Sequence, residues 1–88
     1  MPNTSMNPQI TVLYVAQDSA ARAVLTDALR KGGLSVREAA TASEALAGMD
    51  QKPDLVLLDL ELPDLSGFEV CRRIKAEPGV AAIPVLLM

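Results

Sequence analysis

The carboxylates Asp54, Asp59, Glu61 and Asp64 crowd into one short stretch, interleaved with leucines and followed by Gly67. Asp59 is set apart, because the apolar residues Leu55, Val56, Leu57 and Leu58 run directly into it. An uninterrupted apolar run stopped by polar and turn-forming residues reads as a central strand buried on both faces. Asp59 then sits at the carboxyl end of that strand, where ligands and chemistry collect in an open parallel α/β sheet. Pro63 and Gly67 follow at regular intervals, the residues of a shaped loop. The alternative role for Asp59 is structural, a helix cap or loop carboxylate at a strand end. Any chemistry here works without histidine, since the chain has none. That excludes His-based metal sites and Ser-His-Asp or Cys-His machinery, and no enzyme activity is expected.

The rest of the composition narrows the field further. Eighty-eight residues make at most one small domain. A chain this short buries roughly 60% of its unfolded surface. Half of the residues are apolar, a globular composition. With a net charge of −3 and no basic run, nucleic-acid binding by this segment is not expected. Arg72, Arg73 and Lys75 read as a solvated helix face. The single cysteine, Cys71, excludes an internal disulfide, fits a reducing cytosol and reads as a small buried hydrophobe. No apolar stretch approaches a membrane span, and Met1 to Gln9 lacks the pattern of a signal peptide. Residues 1–9 are expected to form a flexible tail, and residues 10–88 the domain, in the cytoplasm.

The elements that must position Asp59 follow in alternation. Ile10 to Val15 is β-branched and apolar, a first strand. Asp18 and Ser19 are helix N-cap types. The helix from Ala20 to Lys31 carries Val24, Leu25 and Leu29 on its apolar face and ends at Gly32-Gly33. Leu34 to Ala39 is a short, half-exposed second strand. Thr41 with Glu44 has capping-box spacing, with Ser43 as a rival cap. The helix they open turns Ala45, Leu46 and Met49 inward and stops at Lys52-Pro53. After the Asp59 loop, Phe68, Val70, Cys71 and Ile74 form a helical stripe. Glu69 is spaced to pair with Arg72 or Arg73. Glu77-Pro78-Gly79 breaks that helix, and Ile83 to Met88 reads as another buried strand. This β-α-β-α-β-α-β order implies right-handed crossovers and a doubly wound parallel sheet.

The stretch Asp54 to Gly67 resembles the phosphoacceptor segment of response-regulator receiver domains of two-component signalling. In that family an aspartate ends the third strand, a proline follows four residues later, and a glycine precedes the third helix. Val12 to Val15, Arg22 early in the first helix and Ile83-Pro84-Val85 match as well, so the resemblance covers roughly residues 10 to 88. It implies a flavodoxin-like receiver fold, complete except for a last strand and the last two helices. It also implies that Asp59 accepts a phosphoryl group from a sensor histidine kinase or a phosphotransfer protein. The cofactor it implies is Mg2+, which neutralises the two anions that must meet. Its ligands would be Asp59 and the backbone carbonyl of Glu61.

Two features depart from the family pattern. Counting back from Arg22, Ala16 and Gln17 occupy the positions of the acidic pair that holds the magnesium. Asp18 is one place further on; it could substitute as a metal ligand if the loop shifts by one residue, but a helix N-cap is its better reading. The family's hydroxyl residue after the fourth strand and its lysine on the fifth would lie beyond Met88, with any output domain. Two readings therefore stand: a phosphoaccepting receiver, and a pseudo-receiver acting as a phosphorylation-independent interaction module. A nucleotide-binding fragment is disfavoured, because Val15 to Ser19 contains no glycine to let backbone approach a phosphate. The fourth strand is expected to leave an uncovered edge through which the isolated segment self-associates or aggregates, unless further chain covers it.

Overall fold

The structure is a computed structural model that describes residues 9–88. The tail expected over residues 1–9 lies outside the described residues except for Gln9. The elements are β1 (Thr11–Val15), α1 (Ser19–Lys31), β2 (Ser35–Ala39), α2 (Ala42–Gly48), a 3₁₀ turn (Met49–Gln51), β3 (Leu55–Leu58), α3 (Gly67–Ala76) and β4 (Val85–Leu87). All strand pairs are parallel, and the order across the sheet is β2-β1-β3-β4. The chain moves outward from β1 to β2, then returns to place β3 on the other side of β1. That reversal opens a crevice at the carboxyl ends of β1 and β3, the position at which open α/β sheets bind ligands.

Two apolar layers flank the sheet. Leu13, Val15, Val56 and Leu58 pack on one side with Ala42, Ala45 and Met49 of the α2 region and with Val70 and Ile74 of α3. Tyr14, Ala16 and Val36 pack on the other side against Leu25 and Leu29 of α1, with Leu57 partly covered. The alternation of β1 serves both layers, which is why Val12 to Val15 are all buried.

Several sequence expectations are corrected by this arrangement. Val56 and Leu58 are fully buried, but Leu55 and Leu57 are only partly covered, so β3 is not equally buried on both faces. Two helices cover the Val56 face, whereas among the described residues α1 alone covers the other and lies over β1 and β2. Val24 is 74% exposed and does not belong to the inner face of α1; the buried residue there is Thr26. Phe68 is 64% exposed at the start of α3 and does not belong to its inner face. β4 is an exposed edge and not a buried strand, with Val85 half-buried and Leu86 54% exposed.

The helix boundaries follow local chemistry. Gly33 takes a φ of 93°, the left-handed conformation that glycine accepts just past a helix end. Thr41 accepts from the Glu44 N–H at 3.1 Å, and the Glu44 carboxylate reaches back to the Ala40 N–H at 2.7 Å. The reach-back falls one residue before the cap, a variant of the capping box. Glu69 pairs with both Arg72 and Arg73, at 2.5 and 2.9 Å. Lys75 is not simply solvated: its ammonium donates to the Ala81 and Ile83 carbonyls and ties α3 to the segment leading into β4.

Candidate functional site

β3 carries Asp59 to the carboxyl edge of the sheet. Val15 pairs with Leu58 in the β1–β3 register, and the Asp59 N–H donates to the Val15 carbonyl at 2.9 Å. The next position on β1 is Ala16, so Ala16 and Asp59 stand side by side at the crevice. Both continue the alternation that puts Tyr14 and Leu57 on the α1 side. Asp59 is half-buried, and its carboxylate has no hydrogen-bond partner among the described residues.

The β3–α3 loop is built tightly around this aspartate. Glu61 and Ser66 form an isolated antiparallel bridge, and the Gly67 N–H donates to the Leu60 carbonyl at 2.8 Å. A side chain at position 67 would place its Cβ 2.3 Å from the Asp59 carbonyl oxygen and 2.9 Å from the Leu60 Cα. Glycine is therefore required here by close approach of backbone to backbone. Ser66 caps α3 by accepting from the Glu69 N–H at 3.2 Å. Asp64 reaches across to α2, where its carboxylate accepts from the Ala42 N–H at 2.8 Å and the Ser43 N–H at 3.0 Å. These amide donors, Ala42 first, hold the Asp64 carboxyl below its ordinary value. Glu61 is exposed beside Asp59 on the same loop. Asp54 lies at the opposite edge, where its carboxylate accepts from the Thr11 N–H at 2.8 Å and closes the start of the β1–β3 pair.

The β1–α1 loop is built differently. Ala16 is 3% exposed and donates its N–H to the Ala39 carbonyl at 3.0 Å. Gln17 is exposed, and its side chain has no protein partner among the described residues. Asp18 caps α1: its Oδ1 accepts from the Ala20 N–H at 3.0 Å and the Ala21 N–H at 3.2 Å. Arg22, one turn into α1, donates from Nη1 to the Ala16 carbonyl at 2.5 Å and from Nε to Glu38 at 2.9 Å. Its side chain is 16% exposed, so this cation is held in place from two sides. The charges converge on Tyr14. Burial first, then Asp59 and Asp18, push its hydroxyl above the ordinary 10.0, and Arg22 opposes them.

This donor set does not fit the magnesium site that the resemblance implies. Magnesium demands near-octahedral oxygen coordination and is usually held through one or two carboxylates. Asp59 supplies one. Ala16 supplies nothing, Gln17 offers a neutral oxygen, and Asp18 already serves the helix. Among the described residues no group of three His, Cys, Asp or Glu side chains is placed to hold a metal ion. A cleft of about 600 Å³ lined by Leu46, Met49, Ile74 and Val80 opens at the other end of α2 and α3, away from Asp59.

Comparison with known proteins agrees with this fold. The response regulator receiver domain family matches residues 12–88. The chain belongs to that family. It is 37% identical over 79 residues to the transcriptional regulatory protein AfsQ1 of Streptomyces coelicolor, covering 89% of this chain and 34% of that protein. The phosphate regulon transcriptional regulatory protein PhoB of Pseudomonas aeruginosa gives the same identity and the same coverage. The chain thus spans about a third of the length of these curated relatives. Among solved structures, the N-terminal domain of a response regulator receiver protein from Methanoculleus marisnigri superposes with a TM-score of 0.83 at 35% identity, over 88% of this chain and 63% of that one. The phosphorylated cyanobacterial phytochrome response regulator RcpA gives a TM-score of 0.83 at 30% identity, over 91% of this chain and 64% of that one. This is a receiver domain of two-component signalling, with no helix among the described residues long and apolar enough to cross a membrane.

Asp59 is found where the sequence places it, at the mouth of the crevice, with Glu61 beside it. Asp18 is present at the same edge as a helix cap. Two contacts were not read from the sequence. The tether from Asp64 to α2 joins positions 22 and 21 residues apart and leaves no local signal. The anchoring of Arg22 on Ala16 depends on a turn of helix folding back over a strand end.

Proposed function

We propose that this receiver accepts a phosphoryl group on Asp59 from a sensor histidine kinase or a phosphotransfer protein in the cytoplasm, and passes the signal to an output domain. It acts as a regulated acceptor and not as an enzyme in its own right. The observation that carries this reading is the placement of Asp59: a half-buried carboxylate with no protein partner, at the switch point of the sheet, on a loop that only glycine at position 67 permits. A phosphoryl group there adds charge and acceptor oxygens at the meeting point of two loops, which biases the loops' arrangement. The likeness to RcpA, whose solved structure is phosphorylated, supports the same assignment. Of the implied magnesium ligands, Asp59 would be the one anionic donor, with the Glu61 carbonyl beside it. Asp18 would join only by leaving the α1 cap.

The second reading, a pseudo-receiver that binds partners without phosphorylation, is favoured by one specific observation. Ala16 and Gln17 stand where the family holds its acidic pair. The two readings separate in one experiment on the full chain with acetyl phosphate and magnesium, followed by intact mass. The expected result is addition of one phosphoryl group that Asp59→Asn abolishes. Absence of any label would leave the interaction-module reading.

A further inference from the structure

The loop that carries Asp59 reaches α2 through the Asp64 side chain. Its Oδ1 accepts from the Ala42 N–H at 2.8 Å and its Oδ2 from the Ser43 N–H at 3.0 Å. Oδ1 also takes the Leu65 N–H at 3.2 Å, which fixes the carboxylate on its own loop. The first amides of a helix find no partner within it, and α2 divides them between two sources. Thr41 takes the Glu44 N–H with its hydroxyl at 3.1 Å and the Ala45 N–H with its carbonyl at 3.0 Å. Ala42 and Ser43 have only Asp64 among the described residues. With 7 residues, α2 is too short to be stable alone. It rests on the sheet through the small, fully buried Ala42 and Ala45. Such a helix depends on its anchors for its position.

We infer that the Asp64 carboxylate is a clasp whose release carries the state of Asp59 to α2, which makes this short helix an output element of the domain. The inference rests on the reading of Asp59 as phosphoryl acceptor. With acetyl phosphate as donor, an Asp59 carboxylate oxygen forms the new bond to phosphorus. The bond between phosphorus and the acetyl oxygen breaks, and acetate leaves with that electron pair. The loop gains the charge of the transferred group, although Glu61 and Asp64 already place two carboxylates on it, and like charges repel. Around Gly67 the loop is held by backbone contacts that cannot yield. The clasp is held by a charge at an exposed position, so it gives way first. Release costs α2 two amide partners and leaves the Thr41 cap intact, so the helix shifts without melting. Leu46 and Met49 line the cleft at the far end of α2, and a shift of the helix changes the shape of that cleft.

The test is solvent exchange of individual backbone amides, read by NMR on the full chain before and after treatment with acetyl phosphate and magnesium. Intact mass gives the extent of labelling. Once Asp59 is labelled, the Ala42 and Ser43 amides are expected to exchange roughly 10-fold faster, and those of Glu44 and Ala45 to change by less than about 2-fold. Asp59→Asn under the same treatment is expected to show no change. In Asp64→Ala the Ala42 and Ser43 amides are expected to exchange fast from the outset, with no further gain on labelling. Far-UV circular dichroism checks that each variant is folded. Should Asp64→Ala not fold, Asp64→Asn decides: it keeps an acceptor oxygen without the charge, and the gain on labelling is expected to shrink. Labelling that leaves Ala42 and Ser43 exchange unaltered overturns the inference and leaves the Asp59 reading standing. Equal acceleration along all of α2 overturns it too, because the helix then frays as a whole. So does an undiminished gain in the folded Asp64 variant. Failure to label removes the Asp59 reading, and the inference with it.

Discussion

Two loops meet at the carboxyl edge of the sheet, and they are stabilised by different means. The β3–α3 loop is held by backbone: the Glu61–Ser66 bridge, the Gly67 N–H on Leu60, and a glycine pressed against the Asp59 carbonyl. The β1–α1 loop is held by side chains: Asp18 on the first turn of α1, and Arg22 on the Ala16 carbonyl. The first arrangement presents a carboxylate and leaves it free. The second directs its charges to α1 and to the sheet, and offers no carboxylate to a cation. The β3–α3 loop therefore keeps the family pattern, while the β1–α1 loop departs from it at Ala16 and Gln17. Substitutions that strain one loop at a time show how far the two are independent.

The largest effect is expected from Gly67→Ala. Its Cβ would meet backbone atoms at 2.3 and 2.9 Å, and backbone cannot rotate away as a side chain would. Either the start of α3 or the end of β3 must shift. Overpacking of this kind costs about 3 kcal/mol. Urea unfolding of Gly67→Ala should show a midpoint lowered accordingly, with the slope unchanged. A midpoint equal to that of the unaltered protein would mean that the loop is softer than its contacts indicate. The contrast between the two loops would then be lost.

The legibility of the sequence divides along the same line. The apolar run into Asp59, with Pro63 and Gly67 behind it, is a contiguous pattern, and both the strand end and the tight loop follow from it. The helices and strands were legible for the same reason, since each carries its own caps and period. What escaped depends on where helices rest. Val24 and Leu25 are adjacent on α1, and hydropathy alone cannot decide which of them the sheet covers; the sheet takes Leu25 with Thr26 and leaves Val24 in solvent. Phe68 looked like core by type, but it is left in solvent on the first turn of α3. Lys75 read as a surface charge and Asp64 had no assigned role, yet both bind backbone of another segment. Such pairings join groups far apart in the chain, and no local period announces them.

A smaller effect is expected in the other loop from Asp18→Ala. This removes the acceptor for two amide groups at the start of α1 and a negative charge at the positive end of the helix dipole. Losing an N-cap of this type costs about 1 kcal/mol. The loss should appear as a lowered unfolding midpoint, with exchange of the Ala20 and Ala21 amides faster than in the unaltered chain. Acetyl phosphate labelling of Asp59 should change little if Asp18 serves α1 alone. A large drop in labelling would place Asp18 in the phosphoryl site and bring the two loops into one unit.

The smallest and most conditional effect belongs to Asp64, whose carboxylate links the Asp59 loop to α2. Its charge, accepting from Ala42 and Ser43, is favoured in the folded state, so its folded value lies below the ordinary 3.8. A depressed carboxyl contributes stability that is fully present above its unfolded value and is lost as pH falls through the folded one. Asp64→Asn keeps an acceptor oxygen but has no charge to titrate. The gap in unfolding midpoint between the unaltered protein and Asp64→Asn should therefore be constant near neutrality. It should begin to close as the pH drops below about 4, and vanish once Asp64 is protonated in both states. Since Asp64 is exposed, added salt should narrow the gap at neutral pH as well. A gap that persists unchanged into acid would mean that shape and not charge holds the loop to α2. In that case the β3–α3 loop would be a purely backbone-built element, and its contrast with the charge-built β1–α1 loop would be complete.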